Sequence, residues 1–112
     1  MAPDTRSGEL LQGTLAILIL KALLATPTHG YGIARWIEQT TSDVLRVEEG
    51  SLYPALRRLE RDKFTKGEWK VTDNGRRARY YRLTAAGKKR LEEITENWTA
   101  LTRSVAKLMR FA

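Results

Sequence analysis

At Asp62 the spacing of apolar residues switches from helical to alternating, so helices come first and a hairpin follows. Upstream, residues 49–61 read E-G-S-L-Y-P-A-L-R-R-L-E-R. Leu52, Leu56 and Leu59 recur there at i, i+4 and i+7 and share one helical stripe that should pack on a core. Ser51, Tyr53, Pro54, Arg57, Arg58 and Arg61 fall away from that stripe. A face carrying a hydroxyl, a phenol and three guanidiniums suits phosphates and base edges, though an ordinary solvated basic face has the same look. Pro54 belongs in a first helical turn, where its missing N–H matters least, which places the helix start near residues 48–51. Downstream, Thr65, Gly67, Trp69 and Val71 alternate with Lys66, Glu68 and Lys70, the period of a strand. Asp73-Asn74-Gly75 is a hairpin signal, and residues 78–83 (A-R-Y-Y-R-L) form the returning strand. Arg76, Arg77 and Arg79 lie near the tip.

The rest of the chain is helical. Residues 10–24 (L-L-Q-G-T-L-A-I-L-I-L-K-A-L-L) are apolar almost all round, as in a helix touched on several sides. Residues 26–30 break it, and residues 31–39 form a second helix with Ile33, Trp36 and Ile37 inward. Residues 40–46 connect it to the basic helix. Thr84 is the expected N-cap of a last helix reaching Phe111. In that helix Leu91, Ile94, Trp98, Leu101, Val105, Leu108 and Ala112 alternate spacings of three and four, an a/d heptad seam. A helix of about 27 residues is roughly 40 Å long and overhangs a small domain. The seam is therefore expected to pair between two chains, with its start able to pack in cis. Trp98, wide for such a seam, is a candidate wall of a small-molecule site. Trp36 and Trp69 are expected to be core or edge packing.

Charge is unevenly placed. The formal net charge is +7. Residues 57–90 hold thirteen Lys/Arg against four Asp/Glu, a local balance of +9, and the remainder holds seven against nine. A basic centre with near-neutral ends suits a polyanion. Cysteine is absent and His29 is the lone histidine, so neither disulfides nor a cysteine- or histidine-built zinc site is expected; no metal and no cofactor is assigned. No apolar run is long enough for a membrane span and no signal peptide is visible, which points to the cytoplasm. Gly30-Tyr31-Gly32 lacks the rest of a phosphate loop. The N–H groups at that helix start either hold a phosphate or are capped by Thr28. The carboxylate pairs Glu48-Glu49, Glu92-Glu93 and Glu60 with Asp62 read as caps and solvated faces, and no serine has a base at a recognisable spacing. An enzyme is not expected.

Three helices followed by a basic hairpin is the order of a winged helix-turn-helix, and the motifs go further. The chain resembles the PadR family of bacterial transcriptional regulators through G-T-L at 13–15, H-G-Y-G-I at 29–33, G-S-L-Y-P-A-L-R-R-L-E at 50–60 and G-R-R-A-R-Y-Y-R-L-T-A-A-G at 75–87. Lys63-Phe64 departs from the Gly-Leu usual before the wing, which bears on where the basic helix ends. The resemblance implies a mainly α fold with a small β-hairpin wing: a flexible leader at 1–9, a winged helix-turn-helix DNA-binding domain at 10–84, and a dimerisation helix at 85–112. It further implies a homodimeric repressor of double-stranded DNA that is released by a small aromatic effector; two-fold symmetry makes the expected site an inverted repeat, the seam makes Trp98 the candidate effector wall, and no membrane partner is expected. Carried over by position, Ser51, Tyr53, Pro54, Arg57 and Arg58 would face DNA from the recognition helix. Arg76, Arg77 and Arg79 would do so from the wing, and Tyr31 from the start of the second helix. Leu91, Ile94, Trp98, Leu101, Val105 and Leu108 would form the dimer interface. The competing reading is a winged-helix protein–protein module that does not bind DNA.

Overall fold

The computed structural model describes residues 3–111, with side chains from Thr14 onward. Four helices and three short strands follow one another as α1 (Pro3–Ala25), β1 (Thr28–His29), α2 (Gly30–Thr40), α3 (Glu49–Arg61), β2 (Thr65–Val71), β3 (Arg77–Leu83) and α4 (Ala85–Arg110). The expected order of helices, hairpin and final helix is observed. α1 begins earlier than the expected residue 10, and the backbone expected as a leader is helical from Pro3 onward. A proline at the first helical position suits that start, because its fixed φ is already helical and its missing N–H needs no partner. Met1 and Ala2, the remainder of that expected leader, lie outside the described residues.

α1 is the hub because it is apolar on several sides. It packs against α2, α3, β3 and α4. Leu15, Ile19, Leu20, Ala22 and Leu23 of α1 are buried with Ile33 and Ile37 of α2, with Leu52, Ala55, Leu56 and Leu59 of α3, and with Tyr81 and Leu91. The three leucines of the α3 stripe are all in this core, so the opposite face of α3 is left to solvent. Trp36 packs against the edge of the same cluster, as expected.

Three local features differ from the sequence reading. First, residues 28–29, read as part of a break, form β1, which pairs with β3 (Thr28↔Tyr81, His29↔Tyr80) and makes a sheet of order β1-β3-β2. Two residues carry no readable alternation, so only the pairing reveals the strand. Second, the cap of α2 is His29, not Thr28: the Gly32 N–H donates to His29 Nδ1 at 3.0 Å. His29 has the extended backbone of an N-cap, and Thr28 is one residue too early. Third, α3 starts at Glu49, within the expected window, but Pro54 is then one and a half turns in rather than in the first turn. Proline removes the N–H that would bond the Gly50 carbonyl. Both residues are exposed, where water can take that carbonyl, and burial of the leucine stripe carries the helix through.

The expected hairpin is observed, and its strands pair from Thr65↔Leu83 to Val71↔Arg77. Its turn is closed by Gly75 N–H donating to Thr72 O at 2.9 Å, and Gly75 takes φ 81°, the left-handed step of a three-residue hairpin loop. Thr84 caps α4 as expected, accepting from the Gly87 N–H at 3.0 Å and donating to Lys63 O at 2.7 Å. Along the heptad, Leu91 is buried and Ile94 packs on the core. Trp98, Leu101, Val105 and Leu108 are exposed, at 41% to 69%. The start of the seam thus packs in cis and its remainder is bare on this chain. Ala112, its last position, lies outside the described residues.

Candidate nucleic-acid interface

The start of α2, the exposed face of α3 and the hairpin enclose an open cleft of about 1300 Å³. Burial of the leucine stripe turns Tyr53 and Arg57 toward it, and β1 and the first turn of α2 present His29 and Tyr31 at its rim. Sequence-distant residues meet here: Tyr31, Tyr53, Arg57, Arg76, Arg77 and Arg79 all line this cleft. Ser51 and Pro54 lie on α3 without lining it. Arg58 is on another side of the helix, beside a smaller recess of about 180 Å³ shared with Leu15, Ile94 and Arg90.

Positive charge dominates. Arg35, Arg57, Arg76, Arg77 and Arg79 face Glu60 and Asp73 across the cleft, five guanidiniums against two carboxylates. One pairing is already made. Arg79 Nε donates to Glu60 Oε1 at 3.2 Å and Arg79 Nη2 to Glu60 Oε2 at 2.5 Å, with both side chains about 30% exposed. Glu60 is thus not the solvated carboxylate expected from its position on α3, because strand pairing brings Arg79 opposite it. The hydrogen bond from Arg79 holds the Glu60 carboxyl below its ordinary value, against the opposing effect of burial. Burial pushes the Tyr81 phenol up, and the negative Glu60 adds to that.

Trp69 corrects its expected role as packing. It is 58% exposed and lines the cleft. The guanidiniums of Arg77 and Arg79 lie 5.3 and 5.6 Å from its ring centre, within cation–π range. The hairpin register contained the signal: Trp69 is the cross-strand partner of Arg79. Arg35 and Tyr80 are further lining residues that the sequence did not single out. Tyr80 meets His29 edge-on, with ring centres 5.0 Å apart, so the α2 cap and the wing share one aromatic contact. Such a surface, with donors in planar forks and rings between them, suits phosphates, sugars and base edges.

Residues 19–93 match the family described as the transcriptional regulator PadR-like family. The chain is 36% identical over 98 residues to a transcriptional regulator of Mycobacterium tuberculosis, covering 87% of each protein. Among solved structures it is similar to a PadR-like transcriptional regulator of Bacillus cereus, with a TM-score of 0.78, 28% identity, and 93% of this chain and 99% of the other covered. It is also similar to a PadR family transcriptional regulator of Eggerthella lenta, with a TM-score of 0.79, 30% identity, and 97% and 93% covered.

Proposed function

The chain belongs to the PadR-like family of transcriptional regulators, and from that membership we propose that it binds duplex DNA as a homodimer and represses at an inverted repeat. The observation that carries this is the cleft itself. The free face of α3 and the arginines of the hairpin, far apart in sequence, line one positively charged concavity. Ser51, Tyr53, Pro54 and Arg57 enter the major groove with α3, where Arg and Tyr contact base edges and phosphates. Arg76 and Arg77 grip the flanking backbone from the wing, and Tyr31 contacts it from the start of α2. Residues 10–84 form the DNA-binding unit and residues 85–112 the dimerisation helix. Among the described residues no helix is long and apolar enough to cross a membrane.

The bare part of the α4 seam is the dimer surface. Trp98, Leu101, Val105 and Leu108 continue the heptad that Leu91 and Ile94 begin in cis, and exposed apolar side chains at heptad spacing gain by pairing with a second copy. Two-fold symmetry then places half-site centres roughly 34 Å apart, about one helical turn. Trp98 near that two-fold walls a site for a planar aromatic effector, which acts by favouring one dimer shape over another.

The test is a mobility-shift titration with duplex DNA at rising salt, in the native chain and in Leu101→Asp. If each subunit neutralises a few phosphates, affinity falls by orders of magnitude between about 50 and 200 mM salt. Leu101→Asp puts a charge in the seam and gives a monomer with weakened binding. Salt-independent binding refutes the electrostatic reading, and a Leu101→Asp protein that stays dimeric by sedimentation refutes the seam.

A further inference from the structure

The wing carries three arginines near its tip, yet the structure treats one of them differently. Arg79 is held at both ends of its guanidinium by Glu60, from the last turn of α3. Three further features build this contact. Gly67 of β2 leaves the space: a Cβ there would lie 2.7 Å from Arg79 Nε and 3.0 Å from Glu60 Oε1. The Gly67 backbone also helps to hold the Glu60 carboxyl below its ordinary value. The Arg79 guanidinium also lies over the ring of Trp69, 5.6 Å from its centre, a contact that Arg77 shares at 5.3 Å. By contrast Arg76 and Arg77 are exposed, and among the described residues neither forms an ion pair.

We propose that Glu60 and Arg79 form a latch between recognition helix and wing, so that Arg79 is a positioning residue for DNA binding and not a phosphate contact. The proposal rests on the reading of the cleft as a DNA-binding surface. The physical reason is geometric. Wing and α3 are joined by the turn at residues 62–64 and by strand-to-helix packing at the base of the hairpin. β1 pairs only with Tyr80 and Tyr81 of β3, and beyond them the hairpin is a two-stranded ribbon, which twists easily along its length. A forked, planar ion pair fixes distance and orientation together, which a single point charge does not. With the latch closed, the distance between Arg57 on α3 and Arg77 on β3 is set before DNA arrives, so base and backbone contacts are made in one register. Glu60 has a second consequence: it neutralises Arg79, so the wing contributes fewer phosphate contacts than its arginine count suggests.

Four variants test this, Arg79→Lys, Arg79→Gln, Glu60→Gln and Arg77→Gln, with two measurements. The first needs no DNA: hydrogen exchange of the β2 and β3 amides in the free protein. Lysine keeps the charge but cannot fork, so Arg79→Lys, Arg79→Gln and Glu60→Gln all speed exchange roughly fivefold, about what a half-buried charged pair contributes. Arg77→Gln, which loses a cation–π contact with Trp69 but no ion pair, changes it less than the three latch variants do. The second is the salt dependence of affinity for random duplex, together with the ratio of affinities for a selected duplex and random duplex. Arg77→Gln flattens the salt slope by about 0.9 per subunit for the one phosphate lost. Arg79→Gln leaves the slope as in the native chain, and Glu60→Gln steepens it by about 0.9 per subunit as Arg79 is released to phosphate. The selectivity ratio falls roughly tenfold in all three latch variants, about the effect of one base contact out of register. The latch is overturned if exchange is unchanged in those three variants, or if Arg79→Gln flattens the slope as Arg77→Gln does while Arg79→Lys behaves as native. A native chain that binds no duplex DNA refutes the functional reading alone, since the exchange measurement still decides whether the latch exists.

Discussion

Lys63 occupies a backbone conformation that suits glycine, and replacing it should stabilise the protein. α3 ends at Arg61 with Asp62 as C-cap. The Lys63 N–H then donates to Glu60 O and the Phe64 N–H to Leu59 O, each at 3.0 Å. This reciprocal pair is a Schellman ending, and it requires a left-handed residue, which Lys63 supplies at φ 66°. A side chain in that region costs about 1–2 kcal/mol. Glycine removes the cost but gives the unfolded chain more freedom, which returns about 0.4–1 kcal/mol. The net gain of Lys63→Gly is therefore about 0.5–1 kcal/mol. The Lys63 side chain is exposed and forms no ion pair among the described residues, so little else is lost. Lys63→Ala is the control, because it removes the charge and keeps the strain. At fixed protomer concentration, thermal unfolding should place the glycine variant about 2–5 °C above the alanine variant. If glycine is no more stable than alanine, the left-handed ending of α3 does not carry that cost.

The other predictions concern the cleft and the seam. Tyr53→Ala and Arg57→Ala should each weaken binding to a selected duplex by about 1–3 kcal/mol while changing random-duplex binding less, and Arg77→Ala should weaken both alike; the two dissociation constants, measured side by side, check this. Because the folded Glu60 carboxyl is held below its ordinary value of 4.5, its contribution to stability is complete above 4.5 and is lost as the pH falls from there through the lowered folded value. Denaturant unfolding of the native chain and Glu60→Gln should accordingly differ at neutral pH and converge in acid, and a constant difference would contradict the pairing. Trp98→Leu should keep the dimer but abolish fluorescence quenching by planar aromatic compounds. Unchanged quenching would assign the effector to another site.

The chain's own residues settled the order of the helices and the hairpin, because apolar period is a local property, and left only the two-residue β1 to tertiary pairing. The leucine stripe of α3, the alternation of β2, the Asp-Asn-Gly turn and the Thr84 cap are each legible within a dozen residues, and each is observed. The heptad of α4 was equally plain. Which part of it is bare could not be read there, since Leu91 and Trp98 satisfy the same spacing; only packing against α1 buries the first and leaves the second exposed. The same limit applies inside the cleft. Arg76, Arg77 and Arg79 are equivalent as letters near a hairpin tip, and Glu60 looks like one more carboxylate on a helix face. Their difference is decided by contacts nineteen residues apart, where strand register and the space at Gly67 bring Arg79 and Trp69 together against the end of α3. A side chain's charge is fixed by the sequence, but whether that charge is free for a partner depends on what the fold places opposite it.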